Sequence, residues 1–128
     1  MENKFNDSEF DKVAETEKWL INYKSIKAGI ESLKEKYEVS NDVGSEMDDS
    51  KKATLDLLDS RIRNMQRKIE QIDRALAALN KVEREIVTYK CIDGMYYYEF
   101  TYKVYKSERQ CKRIKKIALK KMSIALGL

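Results

Sequence analysis

The sequence predicts an all-α chain: an N-terminal long antiparallel helical hairpin, coiled-coil-like, followed by a C-terminal three-helix helix-turn-helix. Three observations predict it. The 128 residues contain no Pro and only four Gly, and 38% are charged, so little interrupts a helix and most residues enter one at low cost. Apolar residues recur at steps of three and four along most of the chain, the period of a helix face. The charge is also sorted: residues 1–60 hold nine Lys/Arg against fifteen Asp/Glu, whereas residues 103–128 hold nine against one.

The first helix is expected from about Phe10 to Tyr37. Trp19, Tyr23, Ile26, Ile30, Leu33 and Tyr37 mark its stripe. "EVSNDVGSEMDDS", residues 38–50, is acidic, holds Gly, Ser and Asn, and has no period, so it reads as a loop. Asp48 and Asp49 at its end are placed to cap the second helix. From near Ser50, Leu55, Leu58, Ile62, Met65, Ile69, Ile72, Leu76 and Leu79 keep a heptad seam. A seam of that length does not stay in water, because each buried apolar side chain is worth about 1.5–3 kcal/mol. Residues 1–79 therefore read as a hairpin arm that closes on itself or dimerises.

Residues 80–128 read as a second domain. Asn80 and Glu83 form the N-x-x-E pattern of a capping box. Asp93-Gly94 ends that helix, since Gly readily takes the left-handed conformation. A short helix comes next, roughly Tyr96–Val104, then a break at Tyr105-Lys106. The last helix runs from about Glu108 to Leu126, with Ser107 as its N-cap. Cys111, Ile114, Ile117, Ala118 and Met122 give this helix an apolar back, and Arg109, Lys112, Arg113 and Lys116 a basic front.

Such an asymmetric charge points to a polyanion. If the front faces DNA, residues of the first turns reach base edges: Glu108, Arg109, Lys112 and Arg113. Lys103, Lys106, Ser107, Lys115 and Lys116 suit phosphates, as do the hydroxyls of Tyr96 and Tyr98. The bland alternative is a solvated or membrane-surface helix. Against the first, several cations lie in the first two turns, where the helix dipole disfavours them. Against the second, the apolar face carries Cys, Ala and Met rather than Trp or Phe. Six of the eight Tyr lie between positions 89 and 105. Some belong to a core, and stacking on single strands is the rival use.

Other chemistry is excluded or disfavoured. There is no His, which removes Cys/His zinc sites and His-based triads. Cys91 and Cys111 lie on apolar faces and read as buried thiols, not as a disulfide framework. No phosphate-binding glycine loop is present, and no cofactor, metal or catalytic residue is expected. No apolar run reaches membrane-spanning length, and the polar, acidic start is unlike a signal peptide, so a cytoplasmic protein without a membrane partner is expected.

The segment "LNKVEREIVTYKCIDGMYYYEFTYKVYKSERQCKRIKKIALKKM" resembles the promoter-binding region 4 of bacterial sigma factors. The likeness lies in Glu83, Arg84 and Ile86, the Gly94 turn, the Glu99-Phe100 pair, Ser107 and Ala118-Leu119. With the helical N-terminal half and the overall length, the chain is similar to phage-encoded ArpU/RinA-type regulators of late genes. It departs from the pattern at Thr101, Tyr105 and Lys106, where Ala, Gly and an apolar residue are usual, so a longer or differently wound turn is expected. The resemblance implies a sequence-specific double-stranded DNA-binding regulator whose contacts come from Glu108, Arg109, Lys112 and Arg113. Its arm would serve as a homodimer or host RNA polymerase contact. A helical packaging or scaffold component, small-terminase-like, with non-specific nucleic-acid contact is the second reading.

Overall fold

The computed structural model describes residues 7–42 and 48–128. Helices joined by short turns make up this part of the chain, with no strand among the described residues. Helix α1 spans Asp7–Ile21, α2 Tyr23–Asp42, α3 Asp49–Ala77 and α4 Lys81–Val87. A π-helical turn, Thr88–Ile92, extends α4, and α5, Tyr97–Val104, and α6, Glu108–Ala125, complete the chain. No described helix is long and apolar enough to cross a membrane.

The first expected helix is two helices, broken at Asn22. Helix α2 also runs past Tyr37 to Asp42, so residues 38–42 are helical rather than loop. Asp48 caps α3 as expected: its Oδ1 accepts from the Lys51 N–H at 2.7 Å. The rest of the expected loop, residues 43–47, lies outside the described residues.

The described chain divides into two compact units. One takes the residues up to Tyr23 together with Gln71–Leu128, and the other is Lys24–Glu70. These compact units divide after Tyr23 and Glu70, whereas the sequence reading places its boundary between 79 and 80. Helix α1 and the end of α3 belong with the C-terminal helices, because their apolar residues are buried among them.

In the Lys24–Glu70 unit, the seam closes within the chain. Ile30 and Leu33 of α2 pack with Leu58 and Ile62 of α3, flanked by Ile26, Tyr37, Met65 and Ile69. A Cβ on Gly29 would stand 2.7 Å from Met65 Cε, so the absence of a side chain there permits the close approach.

The other unit holds two apolar clusters. In the first, Leu20 of α1, Ile72 and Ala75 near the end of α3 and Leu79 just beyond it meet Val87, Cys91, Ala118, Leu119 and Met122. In the second, Ile86 and Phe100 pack with Val104 and Cys111. Ile86 and Val87, neighbours on α4, thus face different clusters. Both cysteines are buried and free, as the sequence implies. Burial pushes the Cys91 thiol up to about 12, helped by the charge of Glu17, which leaves it protonated and inert. Thr16, also fully buried, donates its hydroxyl to the Lys12 carbonyl at 2.8 Å. The Tyr23 hydroxyl donates to Asp73 at 2.6 Å and ties the start of α2 to the end of α3.

The docking of α1 is testable. Leu20 is fully buried and its neighbour Ile21 is 59% exposed. We expect Leu20→Ala to destabilise the chain by about 2–5 kcal/mol in urea denaturation, and Ile21→Ala by no more than about 0.5 kcal/mol. Equal effects would mean that α1 does not pack on this cluster.

Candidate nucleic-acid interface

The C-terminal helices are fixed at each junction by polar groups. At the start of α4, the Asn80 side chain accepts from the Glu83 N–H at 2.9 Å, and Glu83 Oε1 accepts from the Asn80 N–H at 3.0 Å. The other carboxylate oxygen of Glu83, itself buried, accepts from Lys121 of α6 at 2.7 Å. Arg84 donates to the Leu76 and Leu79 carbonyls at 3.2 and 2.9 Å, closing the end of α3. One turn of α4 therefore holds both the preceding helix and the last one.

Gly94, at φ 67°, turns the chain from the π-helical segment toward α5. Glu99 caps α5 by accepting from the Tyr96 N–H at 2.7 Å. Helix α5 ends at Tyr105, which takes the left-handed conformation, φ 56° and ψ 40°, and donates its N–H to the Thr101 carbonyl. This is the position where the sigma pattern has Gly. Ser107 then caps α6: its Oγ accepts from the Gln110 N–H at 3.1 Å, and Gln110 Oε1 accepts from the Ser107 N–H at 2.9 Å. Three residues thus separate α5 from α6.

Cys111, Ala118, Leu119 and Met122 turn inward from α6, and Ile117, expected with them, is largely exposed. Arg109, Arg113, Lys116 and Lys120, at intervals of four, three and four, share the outward face. Lys120 extends this row beyond the residues chosen from sequence. It also pairs with Glu9 of α1 at 3.2 Å.

The four expected base-contacting residues are all exposed, but they are not equivalent. Arg109 and Arg113 lie on the outward row. Lys112 lies at its edge, bound to Glu108 at 2.9 Å and 5.5 Å above the Tyr97 ring. The hydrogen bond that Lys112 donates to Glu108 holds its ammonium above its ordinary range.

Lys115 departs from its expected role as a phosphate ligand. Its side chain is 20% exposed and its Nζ lies 3.1 Å from Glu17 Oε2, the same oxygen that faces Cys91 Sγ at 3.8 Å. Burial works against its charge, but the hydrogen bond and charge of Glu17 hold its pKa above the ordinary value. Releasing it to a phosphate would take the cation from the half-buried Glu17 carboxylate, which disfavours the exchange.

Of the remaining expected phosphate ligands, Ser107 is exposed at the α6 start, with Lys106 half-buried beside it. Lys116 lies on the outward row. Lys103 stands 5.4 Å over the Tyr89 ring and 6.0 Å over Tyr102. Tyr96 and Tyr98 are exposed and stack on each other. Glu9 and Glu17, which bind two lysines of α6, carry no signal in the sequence, because their partners lie about a hundred residues away.

Between α1 and α6 lies a cleft of about 420 Å³, with Phe10, Val13, Tyr97 and Leu119 as its apolar lining and Lys112, Lys115 and Lys116 among its charged residues. No group of acidic or Cys side chains suited to a metal ion occurs among the described residues. No family model, curated protein or solved structure matches the chain.

Two outcomes are expected from this geometry. Burial pushes the Glu83 carboxyl up, but the Lys121 hydrogen bond, the Asn80 N–H and the Lys121 charge outweigh it and hold it below its ordinary 4.5. A carboxyl depressed in the folded state stabilises above the unfolded value, and that contribution is lost as pH falls through the folded one. Glu83→Gln should therefore melt below wild type at pH 7, the gap narrowing as pH falls past 4.5. A gap independent of pH would remove charge from the account. At the turn, Tyr105→Gly should stabilise the chain by about 1 kcal/mol, because a left-handed residue with a Cβ is strained, and Gly94→Ala should destabilise it by a similar amount. Thermal melts of the two variants moving in the same direction would contradict this.

Proposed function

We propose that the chain is a sequence-specific double-stranded DNA-binding transcriptional regulator, not an enzyme. In this reading α5, the Tyr105–Ser107 turn and α6 form a helix-turn-helix, with α4 as the supporting helix. The observation that carries it is the outward row of α6. Arg109, Arg113 and Lys116 begin in its first turn, behind a capped N-terminus, while the opposite face is buried. The helix dipole disfavours cations there. Neither Arg109 nor Arg113 engages an acid among the described residues, so the fold does not account for them. A helix of this kind enters the major groove with its first turns against base edges.

Arg109 and Arg113 are then the base readers, each able to pair bidentately with guanine. Glu108 and Lys112 reach the bases only by giving up their exposed mutual pair. Glu108 can accept from cytosine N4. Lys106, Ser107 and Lys116, with Lys103, Tyr96 and Tyr98 on the α5 side, contact phosphates and set the register. Lys115 stays with Glu17.

Homodimerisation through the arm and contact with host RNA polymerase belong to the same proposal. The arm's seam is filled within one chain, so a dimer would use its outer surface, where Val39 and Leu57 are exposed.

Binding to duplex DNA should weaken steeply with salt, because each neutralised phosphate releases counterion. On a site selected from random duplexes, Arg109→Ala or Arg113→Ala should cost about 1–3 kcal/mol and relax base preference. Lys116→Ala should weaken binding to all sequences alike and lower the salt slope by about one. Selection without an enriched motif, with equal losses on selected and random duplex for the two Arg variants, would favour the packaging or scaffold reading instead.

A further inference from the structure

We propose that the exposed tyrosine face of α5 and its flanking turns is a second nucleic-acid contact, one that stacks on the unpaired bases of a single strand. It rests on the reading of this end of the chain as nucleic-acid-binding.

The aromatic residues of this region divide into two sets. Tyr89 and Tyr97 pack against the fully buried Phe100, with ring centroids 5.3 and 5.6 Å from it. That set fills the core. The second set contributes nothing to it: Tyr96 is 64% exposed, Tyr98 75%, Tyr102 67% and Tyr105 90%. Tyr98 and Tyr102 lie one turn apart on α5, about 6 Å along its axis. Tyr105 continues their row at the left-handed turn, and Tyr96 precedes it. The Tyr96 and Tyr98 rings are within 9° of parallel at 5.6 Å, so flat faces already align there. Single exposed aromatics are ordinary on a protein surface, but four in ten residues form a patch that calls for a partner.

The charges around the patch select the partner. Lys90 stands 5.9 Å from the Tyr96 ring and Lys103 stands 6.0 Å from Tyr102, while Lys106 adjoins Tyr105 in the chain. The one acid between Gly94 and Ser107 is Glu99, whose Oε1 is engaged by the Tyr96 N–H. Ring faces bordered by cations suit a ligand that carries both planar groups and negative charge. A duplex offers its phosphates but keeps its base faces stacked inside. An apolar protein surface has no use for the cations. A single strand offers both, and stacking on tyrosine tolerates any base.

The test uses the full chain and three labelled probes: a single-stranded oligothymidylate of about 15 nucleotides, an abasic strand of equal length, and a duplex. The wild-type chain should bind the base-bearing strand roughly tenfold more tightly than the abasic one. Tyr98→Ala and Tyr102→Ala should each reduce that ratio severalfold, and together bring it near one. Tyr98→Phe and Tyr102→Phe should preserve it, because stacking needs the ring and not the hydroxyl. Duplex affinity should not depend on the four rings beyond any phosphate contact of a hydroxyl. The Arg109→Ala, Arg113→Ala double variant should lose duplex binding and keep the strand preference. Equal wild-type affinity for base-bearing and abasic strands overturns the proposal. So does a Phe variant whose base-bearing to abasic ratio falls as far as that of the Ala variant, because the ring would then not be what holds the base. Tyrosine variants that change sedimentation and leave strand binding untouched would instead identify a protein interface and also overturn it. Absence of duplex binding with the base preference intact would sink the regulator reading and leave this one standing.

Discussion

The apolar side of α6 is wider than α4 and α5 can cover, and most of the C-terminal unit depends on that. Cys111, near the start of α6, is sealed by Ile86, Phe100 and Val104. Ala118, Leu119 and Met122 continue the stripe beyond the reach of α5, whose eight residues end at Val104. An uncovered Leu and Met would forfeit about 1.5–3 kcal/mol each. The cover comes from Leu20 at the end of α1, from Ile72 and Ala75 near the end of α3, and from Leu79 just beyond it. The N-terminal helix is thereby tied to the C-terminal one, and the chain divides at Tyr23 and Gln71 instead of at a single point.

The same packing sorts the cations of α6. Glu17 and Glu9 reach the α1 side of α6 and take Lys115 and Lys120, while Glu83 of α4 takes Lys121. Of the three lysines, Lys115 is the least exposed, and pairing matters most there, because a charge beside an apolar interface is costly when unpaired. Arg109 and Arg113 are exposed and line no part of the α1 cleft, whereas Lys116, on the same row, borders it. A segment with nine basic residues therefore does not present a uniform basic front. It presents a narrow arginine-led row, beside which Lys112, Lys115, Lys120 and Lys121 are paired with acids of the fold.

Local chemistry is legible in the sequence, and long-range pairing is not. The Asn80–Glu83 capping box, the Ser107 cap and the Asp93-Gly94 stop each depend on residues a few positions apart, and each forms as read; the seam of α3 keeps its apolar stripe but divides between two clusters after Ile69. The break at Asn22 leaves no mark on the pattern, because the apolar steps run through it without a change of period. The helical extension to Asp42 is hidden because Ser, Asn and Asp disfavour a helix interior only weakly. The docking of α1 is hidden for a deeper reason. Trp19 and Tyr23 look like the start of one long stripe, and nothing local reveals that Leu20 packs with a helix a hundred residues later. The role of Lys115 is hidden with it, since a helix wheel shows that a lysine lies near the apolar edge but not that an acid waits there.

Tyr105 joins the backbone argument to the surface argument. A non-glycine residue in the left-handed region carries strain of roughly 1–2 kcal/mol, and a glycine would relieve it. The fold gains little in return, because the Tyr105 ring is 90% exposed. Strain that the surrounding structure neither needs nor relieves points to use at the surface. The ring ends the row formed by Tyr98 and Tyr102, and the same residue sets the turn that aims α6. A change there acts on both contacts at once: on the aromatic row through the side chain, and on the direction of the arginine row through φ. The two proposed nucleic-acid contacts are thus joined through a single left-handed residue.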